Sequence, residues 1–161
     1  AKVKNELIST LAIYSGFSGL AGGQYFDLTY ENKKISKKKV IDIQNNKTGK
    51  LFAFCCECIG IIKKHNYKKR KMLKSIGLDI GLLFQITDDL IDYKGDSKIV
   101  GKPTKRDKKK GKQTIIGLLG YKETLTFAIN LKNKINKKIK NYGIRSKELL
   151  QSVEFILDRK F

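Results

Sequence analysis

Asp88, Asp89, Asp92 and Asp96 concentrate four of the chain's 15 acidic residues between positions 88 and 96. On an α-helix Gln85, Asp88 or Asp89, and Asp92 fall at spacings of three, four and seven. One polar stripe therefore emerges from apolar sequence, with its carboxylates converging on one side. Like charges at that spacing repel and Asp is a poor helix former, so the arrangement costs stability unless a cation compensates. Oxygen ligands without His or Cys nearby favour Mg2+ or Ca2+. Mg2+ binds through one or two carboxylates and fills its shell with water and phosphate oxygens, so the stripe would supply part of a diphosphate site. The plain alternative is a solvated acidic face paired with some of the many lysines.

The elements that would position these carboxylates are helices. Leu73, Ile76, Ile80, Leu83 and Ile86 recur at three and four and predict a helix over 68–94, stopped by Gly95. Upstream, apolar spacing predicts a helix over 3–21 ending at Gly22-Gly23, a loop over 27–36 and helical sequence over 37–62. Downstream, residues 95–114 hold the only Pro and read as a polar loop too long for a plain connector. Amphipathic spacing returns over 115–119, 122–139 and 146–157, with a break at Tyr142-Gly143. Cys55, Cys56 and Cys58 are too close together for an ordinary disulfide framework and read as small buried helix residues, which fits a reduced cytosol.

Composition bounds the class. The 161 residues, 40% hydrophobic, are enough for one core and one domain, which excludes intrinsic disorder. One Pro, no Trp and 14 Gly lack the turn punctuation of a sandwich or barrel, so the expected fold is all-α. The net charge of +20 predicts attraction to polyanions, among them nucleic acid, anionic membranes and phosphorylated metabolites. No zinc finger or aromatic RNA-binding motif accompanies that charge, so no specific nucleic-acid partner is expected. The apolar runs 51–62 and 76–86 are interrupted by Glu57 and Asp79 and are too short for a transmembrane segment.

Read in order, the chain contains Gly22-Gly23-Gln24-x-x-Asp27, Lys47-Thr48-Gly49, Phe84-Gln85-x-x-Asp88-Asp89-x-x-Asp92, Gly95-Asp96, Gly101-Lys102 with Asp107, and Gly111-Lys112-x-Thr114. From about Leu11 to Phe161 this series resembles the C-terminal half of the trans-isoprenyl diphosphate synthases, the polyprenyl synthetase family that includes farnesyl and geranylgeranyl diphosphate synthases.

The resemblance implies an all-helical bundle with two aspartate-rich segments facing each other across a cavity. An allylic diphosphate held by Mg2+ loses diphosphate, the resulting carbocation is attacked by isopentenyl diphosphate, and a proton is lost. It implies Asp88, Asp89 and Asp92 as the second aspartate-rich segment and metal ligands, with Asp92 acting through water. Gln85 matches a polar residue near the reacting centre, and Lys47 and Lys102 match lysines that grip the allylic diphosphate. Thr48, with the Lys47 carbonyl, matches the oxygens near the carbocation. Gln24 and Asp27 match cavity-lining polar positions, and Lys112 a basic residue of a closing loop. The resemblance further implies a cytoplasmic enzyme that is a homodimer when intact.

One departure from the family pattern is Lys105, which stands where the family loop carries its second Gly. No second aspartate-rich segment occurs. With Ala1 in place of Met, the expectation is that residues 1–161 are the C-terminal part of a single domain whose N-terminal half is absent, incomplete as a catalyst alone. The competing readings are a non-catalytic regulatory subunit of a prenyltransferase and a basic nucleic-acid-binding helical protein.

Overall fold

The computed structural model describes residues 1–94 and 113–159, and the described residues contain helices and no strand. In chain order these are α1 (Lys2–Ser15), α2 (Leu20–Thr29), α3 (Lys37–Gln44), a π-helical turn (Asn45–Gly49), α4 (Lys50–Ile62), α5 (Tyr67–Lys94), α6 (Ile115–Leu119), α7 (Tyr121–Lys140), a 3-10 turn (Gly143–Ser146) and α8 (Lys147–Asp158). The expected all-α class is what the structure shows. Residues 95–112, which hold Asp96, Lys102, Lys105 and Lys112, lie outside the described residues.

Helix starts follow from local chemistry. Ser36 Oγ accepts a bond from the Lys39 amide, Asn66 Oδ1 from the Lys69 amide and Thr114 Oγ from the Gly117 amide. Each thereby satisfies one of the backbone donors that the first helical turn leaves unpaired. Gly120, at φ 78°, separates α6 from α7, and Gly143, at φ 69°, opens the 3-10 turn after α7; both are in the left-handed region that glycine enters without a Cβ clash. The expected break at Tyr142-Gly143 is therefore present.

The chain divides into two compact units, 1–28 with 42–82, and 29–41 with 83–161. In the first, Ile43, Ala53, Ile61, Ile76 and Ile80 are buried, and α1 packs on α4. In the second, Leu83, Ile86 and Leu90 of α5 are fully buried, as are Ile115, Ile135, Ile139 and Val153 of α6, α7 and α8. Helix α5 contributes residues to both units.

Two expectations need correction. The first helix does not run to position 21: α1 ends at Ser15, the chain turns through Gly16–Gly19, and Gly22-Gly23 lie inside α2 instead of ending a helix. The reason is close packing, since a Cβ on Gly23 would stand 2.2 Å from the Lys47 amide nitrogen, so glycine here admits a neighbouring backbone. The three cysteines do lie on α4 but are not buried: Cys55 is exposed, and Cys56 and Cys58 are half-buried. The apolar face of α4 that turns inward carries Ala53, Gly60 and Ile61, leaving the cysteines beside it. Burial nonetheless pushes the Cys56 thiol up to about 11, with the neighbouring Cys55 and Cys58 adding to the shift.

A polar tie joins α1, α4 and α5. Buried Tyr14 donates its hydroxyl to Glu57 Oε2 at 2.6 Å, and Arg70 meets Glu6 at 2.6 Å and Glu57 at 3.5 Å. Desolvation raises the Tyr14 pKa above its ordinary value, and the bond to Glu57 and that carboxylate's charge raise it further. Because the folded chain resists tyrosinate, the stabilisation is complete below pH 10 and is lost above it, as the unfolded chain ionises first. Thermal melts of Tyr14→Phe are expected to lie below wild type at pH 7, by about 1.5–3 kcal/mol for one charge-assisted bond. Above pH 10 the gap is expected to close by about 1.4 kcal/mol per pH unit. A gap constant from pH 7 to 11 would show that the hydroxyl is not held by Glu57.

Candidate functional site

In the first unit the Lys47-Thr48-Gly49 motif completes the π-helical turn, Asn45–Gly49, between α3 and α4. The helical sequence expected over 37–62 is interrupted here: the turn is wider than an α-turn and holds one extra residue without ending the helix. Lys47 Nζ donates to Asp27 Oδ2 at 2.6 Å, and both side chains are mostly buried, at 27% and 11% exposure. Asp27 does not begin the loop expected over 27–36 but sits on α2, three positions after half-buried Gln24. Gly23 permits this pairing, since its bare Cα lets α2 reach the backbone of Asn46 and Lys47. Asp27 thus fixes the ammonium, which has three donors in all, so Lys47 keeps donors for an anion. Thr48 is half-buried in the same turn.

In the second unit Gln85, Asp88, Asp89 and Asp92 all lie on α5, as expected. The stripe is divided by depth. Asp89 is 3% exposed and its Oδ1 accepts a bond from Gln85 Nε2 at 3.0 Å, whereas Asp88 and Asp92 are half-buried. The i to i+4 spacing of Gln85 and Asp89 makes that bond local to the helix. Gln85 therefore orients the inner carboxylate.

One participant was missed by the sequence reading. Arg159, directly after α8, places Nη1 3.5 Å from Asp88 Oδ1 and Nη2 3.5 Å from the Phe84 carbonyl, with its guanidinium 4.4 Å from the Phe84 ring centroid. The sequence offered a metal ion or some of the many lysines as the compensating charge for this stripe, and the charge beside Asp88 is an arginine. The available signal was identity: Arg159 is one of four arginines in a strongly Lys-rich chain. A guanidinium can face a carboxylate, a carbonyl and an aromatic ring together, which an ammonium cannot.

No group of three His, Cys, Asp or Glu side chains among the described residues is arranged to enclose a metal ion. The donor set still fits Mg2+ in the partial manner that ion uses: the half-buried carboxylates of Asp88 and Asp92 are oxygen donors, and water or phosphate would complete the shell. Lys102 and Lys112 lie outside the described residues.

Residues 2–152 match the family model described as Polyprenyl synthetase. The farnesyl diphosphate synthase of Micrococcus luteus is 35% identical over 120 residues, which are 74% of this chain and 41% of that protein. Among solved structures, an FPP/GFPP synthase from Zymomonas mobilis superposes with a TM-score of 0.82 at 35% identity, over 96% of this chain and 51% of the other. A geranyltransferase from Helicobacter pylori, complexed with magnesium and isoprenyl diphosphate, does so with a TM-score of 0.82 at 26% identity, over 98% and 52%. The chain thus spans about half the length of the relatives it matches. Among the described residues no helix is long and apolar enough to cross a membrane. With its motifs in order and its helices superposable on these synthases, the chain belongs to the polyprenyl synthetase family.

Proposed function

We propose that this chain is part of an isoprenyl diphosphate synthase that condenses isopentenyl diphosphate with an allylic diphosphate, of the farnesyl or geranylgeranyl type. The observation that carries the reading is the family match over 2–152, which contains Asp88-Asp89-x-x-Asp92 and Lys47-Thr48. Asp88 and Asp92 bind the cation, and Asp89, held by Gln85, is the innermost carboxylate of the metal-binding set. Bound Mg2+ would neutralise the diphosphate leaving group.

Lys47, steadied by Asp27, donates to the allylic diphosphate, and Lys102 and Lys112 add positive charge from the segment 95–112. Thr48 and the Lys47 carbonyl offer fixed dipoles to developing positive charge, and amides come from Gln24 on α2 in the first unit and Gln85 on α5 in the second. Support for Mg2+ comes from the Helicobacter pylori relative, which was solved with magnesium and isoprenyl diphosphate. A homodimer and a cytoplasmic setting complete the proposal, the latter in keeping with three free thiols. The comparisons favour neither a regulatory subunit nor a nucleic-acid binder.

In an assay with radiolabelled isopentenyl diphosphate, geranyl or dimethylallyl diphosphate and Mg2+, residues 1–161 alone are expected to make no product. The same residues joined to a family N-terminal half, covalently or as a second polypeptide, are expected to make a prenyl diphosphate. A carbocation mechanism needs metal held from two sides and a second diphosphate pocket, and these residues offer one aspartate segment. Equal activity with and without the other half would refute the division of labour, and no product from either would refute the activity.

A further inference from the structure

We infer that Arg159 is a built-in counter-ion of Asp88 that makes divalent-metal binding conditional on diphosphate. This rests on the reading of Asp88 as a metal ligand. The guanidinium is held by groups other than the carboxylate: Nε donates to the Ile156 carbonyl at 3.2 Å, Nη2 approaches the Phe84 carbonyl at 3.5 Å, and the Phe84 ring lies 4.4 Å from the guanidinium carbon. With those contacts satisfied, Nη1 faces Asp88 Oδ1 at 3.5 Å. The pair is partly shielded, at 23% and 32% side-chain exposure, so water screens it less than a pair in open solvent.

A divalent cation arriving alone on Asp88 meets a fixed positive charge a few ångströms away. It must displace the guanidinium from its carboxylate or bear the repulsion. A metal arriving with diphosphate brings negative charge that offsets the same guanidinium, so metal and anion bind better together than apart. Arg159 thereby disfavours metal occupancy without substrate. It is a positioning residue in this role and takes no part in bond making. The spacing of 71 residues between Asp88 and Arg159 means that the device exists only when α8 is docked in its unit.

The test is Mn2+ binding followed by electron paramagnetic resonance on the purified protein, at fixed free Mn2+, with and without inorganic diphosphate. Arg159→Ala is expected to bind Mn2+ alone about threefold to tenfold more tightly than wild type. The enhancement caused by diphosphate should shrink by the same factor. Arg159→Lys, which keeps the charge but not the planar fork that fixes it, should fall between wild type and the alanine variant. Arg159→Gln, which keeps an amide donor for the two carbonyls and loses the charge, should follow the alanine variant even if alanine itself destabilises the unit.

In an Asp88→Asn background the Arg159 substitutions should make no difference. If Asp88→Asn weakens Mn2+ binding while neutral variants at 159 leave the affinity unchanged or lower it, Arg159 merely pins α8 and this inference fails while the metal reading stands. If Asp88→Asn and Asp92→Asn both leave Mn2+ binding untouched, the metal reading fails and takes the inference with it.

Discussion

Asp88→Ala is expected to lower the prenyl-transfer rate of the enzyme carrying these residues by about a thousandfold, roughly 4 kcal/mol of transition-state stabilisation. Removing one cation ligand leaves the leaving diphosphate under-neutralised at the moment its bond breaks, and a lysine ammonium does not replace a divalent charge. The fold should barely notice. Asp88 is half-buried, its contact with Arg159 is long at 3.5 Å, and partly exposed pairs of this kind contribute up to about 1 kcal/mol, against which relief of repulsion from Asp89 and Asp92 acts. Single-turnover kinetics with radiolabelled isopentenyl diphosphate, beside a thermal melt, separate the two. A variant that melts far below wild type yet turns over normally would make Asp88 a structural residue.

A stability effect of comparable size is expected at Gly23→Ala. An added Cβ would lie 2.2 Å from the Lys47 nitrogen, 2.6 Å from its Cα and 2.7 Å from the Asn46 carbonyl carbon. All three are backbone atoms of the π-helical turn and cannot rotate aside as a side chain can. Alanine's better helix propensity returns at most about 1 kcal/mol, whereas forced overpacking of a fitted interface costs about 3 kcal/mol. The melting temperature is therefore expected to fall by several degrees, and the Lys47–Asp27 pair at 2.6 Å to open. Gly117→Ala is the control, since its Cβ would meet only the Thr114 hydroxyl, at 3.3 Å. Similar melting temperatures for the two variants would mean that α2 shifts away without cost.

The helices and the aspartate stripe were legible because both depend on spacing within one segment. Leu83, Ile86 and Leu90 mark the buried side of α5, and the same three-and-four rhythm places Asp88 and Asp92 together. Gln85 to Asp89 is likewise local. Contacts between distant segments were not legible. Gly22-Gly23 looked like a stop because glycine weakens a helix in isolation, and only the closeness of Lys47 shows its other use. Asp27 fell in the loop expected over 27–36, whereas α2 extends to Thr29 and carries it to Lys47. Arg159 and Asp88 are 71 positions apart, so no periodicity connects them. The cysteines were misjudged because apolar content does not say which side of α4 turns inward, and that side is chosen by α1 and the glycine contacts of α5.

The π-helical turn at Asn45–Gly49 also constrains how this stretch can change over evolutionary time. A π-turn is in effect a one-residue insertion in an α-helix, so deleting any residue between 45 and 49 would restore unbroken α-helical geometry from Lys37 to Ile62. The helix itself would tolerate that loss. Yet each residue advances the helix by about 100°, so the side chains before the deletion would be turned by that angle relative to those after it. Lys47 could then no longer meet Asp27 while Gly49 kept its approach to Gly81, where an added Cβ would stand 2.7 Å from the Gly49 Cα. The segment should therefore diverge by substitution at constant length, and a change of one residue there would mark a lineage that has abandoned the site.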